Sequence, residues 1–432
     1  MTDIQLTSHP VHSLQGDVQV PGDKSISHRA IILGSLAQGT TTVEGFLDSD
    51  DCLATLKAFQ AMGVVIDQPT KQRLTIHGVG KHGLKKPDAT IDCGNSGTTM
   101  RLLSGVLAAQ PFSSKLTGDS SLLKRPMERI ARPLMQMGAE IVTHDGRPPF
   151  AIHKVRGLEG ITYEMPEASA QVKSCILLAG MYASGETSVI EASFTRDHTE
   201  RMLTAFSYPI RKSDDAIVIN AGSECQGTDL VVPGDMSSAA FFIVAATLIP
   251  NSDLWIRNVG INTARTGIIQ ILNRMGASID IVNKRLYGEE PVADLHIRSA
   301  SLEGIDIPSI LIPFAIDEFP IIFIAAACAK GETLLQGAEE LRYKESDRIA
   351  VMVNGLQALG VDAHALDDGV HIRGGTLHGG LVDSCGDHRV AMAFAIAGSV
   401  ATEPVTIKHC ESITTSFPTF VEIANQLNMV IN

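Results

Sequence analysis

Val20-Pro21-Gly22-Asp23-Lys24-Ser25-Ile26-Ser27-His28-Arg29 leads into an apolar run that begins at Ala30. The chain repeats this 212 residues later, as Val232-Pro233-Gly234-Asp235-Met236-Ser237-Ser238-Ala239-Ala240-Phe241 and a second apolar run. What the copies share is a strand–turn–helix start. Pro and Gly make the turn, Asp and Ser cap the helix, and the apolar run is its buried body. What they do not share is charge. Lys24 and Arg29 stand where the second copy has Met236 and Phe241. Cations and hydroxyls at a helix N-terminus suit an anion, because free N–H groups and the helix dipole already point there. The duplication predicts two related halves, with the first turned toward an anionic ligand.

A finer repeat runs through both halves. Met62-Gly63-Val64, Met137-Gly138-Ala139, Met275-Gly276-Ala277 and Leu359-Gly360-Val361 each close a helical pattern and open a β-branched strand. Weaker equivalents fall at Ser207-Tyr208 and Asn428-Met429. Successive junctions lie 68 to 84 residues apart. A Gly there suits the left-handed residue that ends a helix. The helices before these turns are amphipathic, as Ile268, Ile269, Ile271, Leu272 and Met275 illustrate. The spacing predicts six units of about 70 residues, three per half, too long for solenoid turns. We expect an α/β protein of two similar domains. Residues 1–21 with 236–432 form one, and 22–235 are inserted as the other. The chain crosses twice between them, and a ligand site is expected in the cleft.

Composition narrows the functional classes. The 432 residues are 44% hydrophobic and 19% charged, as in a globular protein of more than one core. A net charge of −13 argues against bulk attraction to nucleic acid or anionic membrane. An anion site must therefore be a local basic pocket. The seven Cys are scattered and form no CxxC pair, which suits reduced thiols in a cytoplasmic protein rather than a disulfide or zinc framework. Met1-Thr2-Asp3-Ile4-Gln5 has no signal-peptide pattern, and the apolar run near Phe319–Ala329 is too short to span a bilayer.

Other helix starts are also polar. Asp92-Cys93-Gly94-Asn95-Ser96-Gly97-Thr98-Thr99-Met100-Arg101 is small and hydroxyl-rich, so backbone can approach a ligand. It equally suits an ordinary capped helix. A P-loop is excluded, since Gly22-Asp23-Lys24-Ser25 has Asp where the second Gly must stand, and no GxGxxG follows a strand. Cations gather at other turns: Lys124-Arg125, then Arg342, Lys344 and Arg348, then Asp387-His388-Arg389. For one Arg alone a helical ion pair is the simpler account. As a set beside helix starts they suit a multiply anionic small ligand. Ser169-Ala170-Gln171-Val172-Lys173 offers hydroxyl, amide and ammonium to a polyhydroxylated ligand. Asp317-Glu318 adjoins an apolar run, as an acid–base pair or as a helix cap. Lys81-His82-Gly83-Leu84-Lys85-Lys86 reads as a solvated loop, and Arg196–Arg201 has His and Glu without metal-ligand spacing.

Taken in order, PGDKSISHR, GNSGTTMR, KRPM, SAQVK, DEFP, YKESDR and DHR resemble the 3-phosphoshikimate 1-carboxyvinyltransferase (5-enolpyruvylshikimate-3-phosphate synthase) family over nearly the whole chain. The SAQVK and Arg196-Asp197-His198-Thr199-Glu200 segments look like its class II subgroup. The resemblance implies three βαβαββ units in each of two domains, an inside-out α/β barrel. It implies transfer of the enolpyruvyl group of phosphoenolpyruvate to the 5-hydroxyl of shikimate 3-phosphate, with no metal or organic cofactor, by a monomer. By motif, Lys24 would contact both substrates. Ser25, Arg29, Ser169, Ala170 and Gln171 would hold shikimate 3-phosphate. Asn95, Gly97, Arg125, Gln171, Arg348 and Arg389 would surround phosphoenolpyruvate. Asp317 would take the hydroxyl proton, Lys344 would sit near that hydroxyl, and Glu345 would protonate the methylene carbon.

Two segments depart from the family pattern. Many members carry Lys before Phe-Pro, where this chain reads Thr414-Thr415-Ser416-Phe417-Pro418, and Cys385-Gly386 replaces the usual Tyr or Asp ahead of DHR. Gly97 keeps the small residue typical of glyphosate-sensitive members, whereas class II members are often tolerant, so the sequence leaves tolerance open. The sister UDP-N-acetylglucosamine enolpyruvyl transferases usually place a reactive Cys in the loop that here runs Gly118–Pro126 without one. A non-catalytic binding protein on the same repeats would need no Asp317.

Overall fold

The Gly junctions do end helices. In the computed structural model, which describes residues 4–191, 193–213 and 216–432, Gly63, Gly138, Gly276 and Gly360 all have φ between 82° and 100°. Ser207 and Asn428, at the two weaker junctions, are left-handed as well, with φ of 60° and 64°. Met1–Asp3, within the segment read for a signal peptide, lie outside the described residues. Among the described residues no helix is long and apolar enough to cross a membrane.

The chain divides into two compact units. The C-half comprises the chain up to Pro21 with Pro233–Leu286 and Glu290–Asn432, and the N-half comprises Gly22–Val232 with Tyr287–Glu289. Each unit has its own apolar core. Each also has three sheets, matching the three repeats read from the sequence. In the N-half every sheet is four-stranded, a parallel pair followed by an antiparallel hairpin. One example is Thr162–Glu164 beside Glu186–Ile190, then Ala216–Asn220 and Ile210–Lys212. The C-half has two four-stranded sheets, in one of which the antiparallel pair Leu6–His9 and Val430–Ile431 comes from the two ends of the chain, and a three-stranded one, Glu332–Leu335 with Gly369–Arg373 and Asp362–Leu366. There two isolated parallel bridges, Glu303 to Lys330 and Asp306 to Leu334, stand where the fourth strand would be.

The crossings explain the duplicated turn. Gln15–Gln19 runs toward Lys24 but pairs in parallel with Asp253–Gly260 of the C-half. Asp229–Val231 runs toward Met236 but pairs in parallel with Gln38–Glu44 of the N-half. Each Val-Pro-Gly-Asp therefore joins a strand of one unit to a helix of the other. The second break falls between Val232 and Pro233, not after Asp235 as the sequence suggested. The reason is that Asp235 N–H donates to Pro21 O (2.9 Å) and Gly234 N–H to Asn258 O (2.8 Å), both in the C-half.

Six helices form the centres of the repeats: α1 (Lys24–Leu36), α2 (Gly97–Leu107) and α3 (Ala170–Gly180) in the N-half, α4 (Met236–Leu248), α5 (Phe319–Cys328) and α6 (His388–Val400) in the C-half. Apart from polar residues near their starts, such as Lys24, Arg29, Arg101, Lys173 and Arg389, they are largely apolar and are buried on all sides. The intervening helices show only one apolar face, as at Gly267–Arg274. α2 and α3 touch backbone to backbone. A Cβ on Gly105 would lie 2.2 Å from Cys175 O, so only Gly permits that approach. On the outer face of one C-half sheet, the indole of Trp255 stacks on His296 with centroids 4.2 Å apart and carries the Arg257 guanidinium at 4.3 Å.

Candidate active site

The helix starts of the N-half come together. Asp23 caps α1 by accepting from Ile26 N–H (2.9 Å), which leaves Lys24 and Ser25 in the first turn. The Lys24 ammonium bonds Asp51 (2.8 Å), whose carbonyl accepts from Thr99 of α2. Ser96 caps α2 and Ser169 caps α3. Gln171 joins those two starts, accepting from Arg101 (2.6 Å) and donating to Thr98 (3.0 Å). Arg29 is buried. Its Nε donates to Thr199 and its Nη2 to Ser174, both at 2.7 Å, and its Nη1 to Ser25 O at 2.9 Å. Arg125 donates to Asn95 Oδ1 (2.7 Å), and Asn95 donates to Asp119 (2.7 Å). A Cβ on Gly97 would come within 2.9 Å of Arg101 Nη1 and 3.3 Å of Arg125 Nη1, so the glycine keeps two guanidinium groups side by side.

The C-half repeats the arrangement with acid added. Asp317 and Glu318 precede α5. Asp317 Oδ1 lies 3.8 Å from the Lys344 ammonium and 3.7 Å from Arg348 Nη1, while Asp317 O accepts from Arg389 at 2.9 Å. Lys344 also pairs with Glu340 (2.6 Å). Arg348 is 1% exposed and held by Asp387 (2.9 Å) and Glu345 (2.7 Å). Burial works to raise the Asp387 carboxyl, but the Arg348 guanidinium and His388 together hold it below the usual carboxylate range. Asp387 also caps α6, placing Arg389 in the first turn.

The structure thus brings Asp317, Lys344, Glu345, Arg348 and Arg389 together in one unit. It groups Lys24, Ser25, Arg29, Asn95, Gly97, Arg125, Ser169, Ala170 and Gln171 at the helix starts of the other. Three cations read differently from the sequence. Lys173 is fully buried, bonded to Glu200 (2.7 Å) and Glu191 (3.1 Å), so it braces α3 rather than facing a ligand. Arg342 ties down a hairpin through Asp367 O (2.7 Å) and Leu366 O and pairs with Asp347. Lys81, expected in a solvated loop, is 3% exposed. Its ammonium donates to Met181 O (3.1 Å) at the C-terminal end of α3, where the helix dipole is negative. His28 shares a bond with Thr55 (2.7 Å), and burial, then Lys24 and Arg29, hold its pKa well below the ordinary value, so it is a neutral core residue. Sequence reasoning passed over Arg101, although it sits one helical turn after Gly97. It also passed over Ser174 and Thr199, the hydroxyls that fix Arg29. Among the described residues no group of three or more His, Cys, Asp or Glu could hold a metal ion.

Similarity to known proteins agrees with this geometry. Residues 9–423 match the family model described as EPSP synthase (3-phosphoshikimate 1-carboxyvinyltransferase). The 3-phosphoshikimate 1-carboxyvinyltransferase of Legionella pneumophila subsp. pneumophila is 64% identical over 428 residues, 99% of each chain. A solved EPSP synthase from Acinetobacter baumannii superposes with a TM-score of 0.90 at 51% identity, covering 100% of this chain and 99% of that one. The enolpyruvyl transferase NikO of Streptomyces tendae reaches a TM-score of 0.81 at 17% identity, covering 99% and 98%, which is a likeness of fold alone. With its family model matched nearly end to end and its repeats in the same inside-out α/β barrel, the chain belongs to the EPSP synthase (3-phosphoshikimate 1-carboxyvinyltransferase) family.

Proposed function

We propose that the two clusters divide the family's reaction between them. The chain transfers the enolpyruvyl group of phosphoenolpyruvate to the 5-hydroxyl of shikimate 3-phosphate and releases phosphate, a step of aromatic amino acid biosynthesis. On our reading Lys24, Ser25, Arg29, Ser169, Ala170 and Gln171 hold shikimate 3-phosphate. Lys24, Asn95, Gly97, Arg125, Gln171, Arg348 and Arg389 bind phosphoenolpyruvate. Asp317 takes the proton of the 5-hydroxyl as its oxygen bonds to C2. Lys344 orients that hydroxyl, and Glu345 delivers a proton to C3. Loss of phosphate and of a C3 proton then restores the double bond. Phosphoenolpyruvate is a stable, highly charged enol ester, so preorganised cations and a placed acid–base pair are what the addition requires. We also propose that the chain acts as a cytoplasmic monomer.

The observation that carries this reading is Asp317, a carboxylate with Lys344 and Arg348 within 3.8 Å of one oxygen. A non-catalytic binding protein has no use for it. Phosphate release should require both substrates together. Asp317→Ala should still bind shikimate 3-phosphate and lose most turnover, and wild-type turnover would remove Asp317 from the mechanism. Release with UDP-N-acetylglucosamine instead would reassign the acceptor.

A further inference from the structure

The second Val-Pro-Gly-Asp start carries no Lys or Arg of its own, yet Asp235 and Ser237 are both engaged. Arg265 Nη2 donates to Asp235 Oδ1 (2.5 Å) and to Ser237 Oγ (2.8 Å). A guanidinium only donates, so Ser237 is the acceptor there and its single proton is left for another partner. That partner is Oε1 of Glu318. The same Oε1 faces Arg389 Nη1 at 3.7 Å, and Nη1 donates to Asp317 O at 2.9 Å. The donor chain runs from Arg265 through Ser237 to Glu318, and the carboxylate on which it ends faces Arg389 from the other side. Arg265, Ser237 and Glu318 are each under 5% exposed.

We propose that Glu318, oriented by Ser237 and Arg265, is the positioning residue for Arg389 in phosphoenolpyruvate binding. This rests on the reading of Arg389 as a phosphoenolpyruvate ligand. Nη1 is one corner of a rigid planar fork. Bonded to Asp317 O and facing the Glu318 charge, it sets the plane in which the remaining N–H groups meet an anion. Charge and position predict opposite outcomes. A carboxylate beside Arg389 offsets positive charge, so by charge alone its removal would tighten phosphoenolpyruvate binding. If Glu318 instead sets the fork, its removal weakens binding.

Glu318→Gln keeps size and an acceptor for Ser237 while removing the charge. We expect KM for phosphoenolpyruvate to rise about tenfold, the loss of one charge-assisted contact. KM for shikimate 3-phosphate should stay put. Ser237→Ala, which leaves Glu318 in place but unoriented, should raise the same KM by a smaller factor and serves if the first variant does not fold. Arg389→Ala is measured alongside. If it raises KM for phosphoenolpyruvate while Glu318→Gln and Ser237→Ala leave it unchanged or lower it, the positioning role is overturned. If Arg389→Ala itself leaves that KM unchanged, the assignment of Arg389 is what fails.

Discussion

Lys24 and Met236 occupy the same place in two copies of one turn, and their surroundings have diverged in opposite directions. At the first start the Lys24 side chain stays 19% exposed beside Asp51, and Arg29 is locked below it by two hydroxyls. At the second, Asp235 and Arg265 close on each other with 8% and 5% exposure. Both Asp residues cap their helices, Asp23 accepting from Ile26 N–H and Asp235 from Ser237 N–H. The scaffold thus asks only for the cap. Side chains in the first turn beyond it are free either to meet a ligand or to brace the interior.

The difference is sharpest in Lys24→Met, which writes the second start into the first. We expect kcat/KM to fall about 10³-fold, since preorganised charge facing a developing anion contributes ~3–4 kcal/mol. The thermal midpoint should hardly move, because a partly exposed Lys–Asp pair contributes ~1 kcal/mol or less. Activity near wild type would erase the functional contrast between the copies. Arg265→Met is the reciprocal test. Leaving Asp235 buried without its partner should cost about 3–5 kcal/mol in a urea titration, and a loss under about 1 kcal/mol would mean the second start is not a brace.

Acid should act on the C-half through Asp294. Burial works to raise its carboxyl, but Asn258 N–H, Asn283 and Arg285 bring it down to about 2. A depressed carboxyl contributes stability above its unfolded value near ~3.9 and loses it as pH falls through the folded value. Wild type should therefore lose up to about 2 kcal/mol between roughly pH 4 and pH 2 that Asp294→Asn does not lose. Parallel curves would remove Asp294 from the acid response. The smallest effect concerns thiols. Cys52, Cys93, Cys175 and Cys225 of the N-half are all buried, whereas Cys385 of the C-half is exposed. Burial, then Asp383, push the Cys385 thiol up. A disulfide reagent should thus modify one thiol of the native chain, slowly near neutral pH and faster in alkali. Labelling of an N-half cysteine before unfolding would show that half opening first.

The repeats were legible because each junction needs a left-handed residue, and Gly63, Gly138, Gly276 and Gly360 announce it in sequence. Ser207 and Asn428 did so more faintly with the same geometry. The cationic helix starts were legible because the chemistry of anion binding is local to a turn. Lys81, Lys173 and Glu318 were not. Whether a charge is solvated, paired or used depends on which helix ends converge on it, and the partners Met181, Glu200 and Ser237 lie 100, 27 and 81 residues away. The crossing after Val232 escaped for the same reason. Its position is set by a hydrogen bond from Asp235 to Pro21, which no local pattern records.

The chain has one tryptophan, and it is the Trp255 already placed between His296 and Arg257 on a C-half sheet. Indole emission therefore reports on the C-half alone, and the N-half is dark in that channel. Set against circular dichroism, which counts helices in both, it separates the two halves optically without a label. If the two signals change together in denaturant, the halves unfold as one. If they part, the difference measures how far a domain joined to its neighbour by two chain crossings keeps a stability of its own.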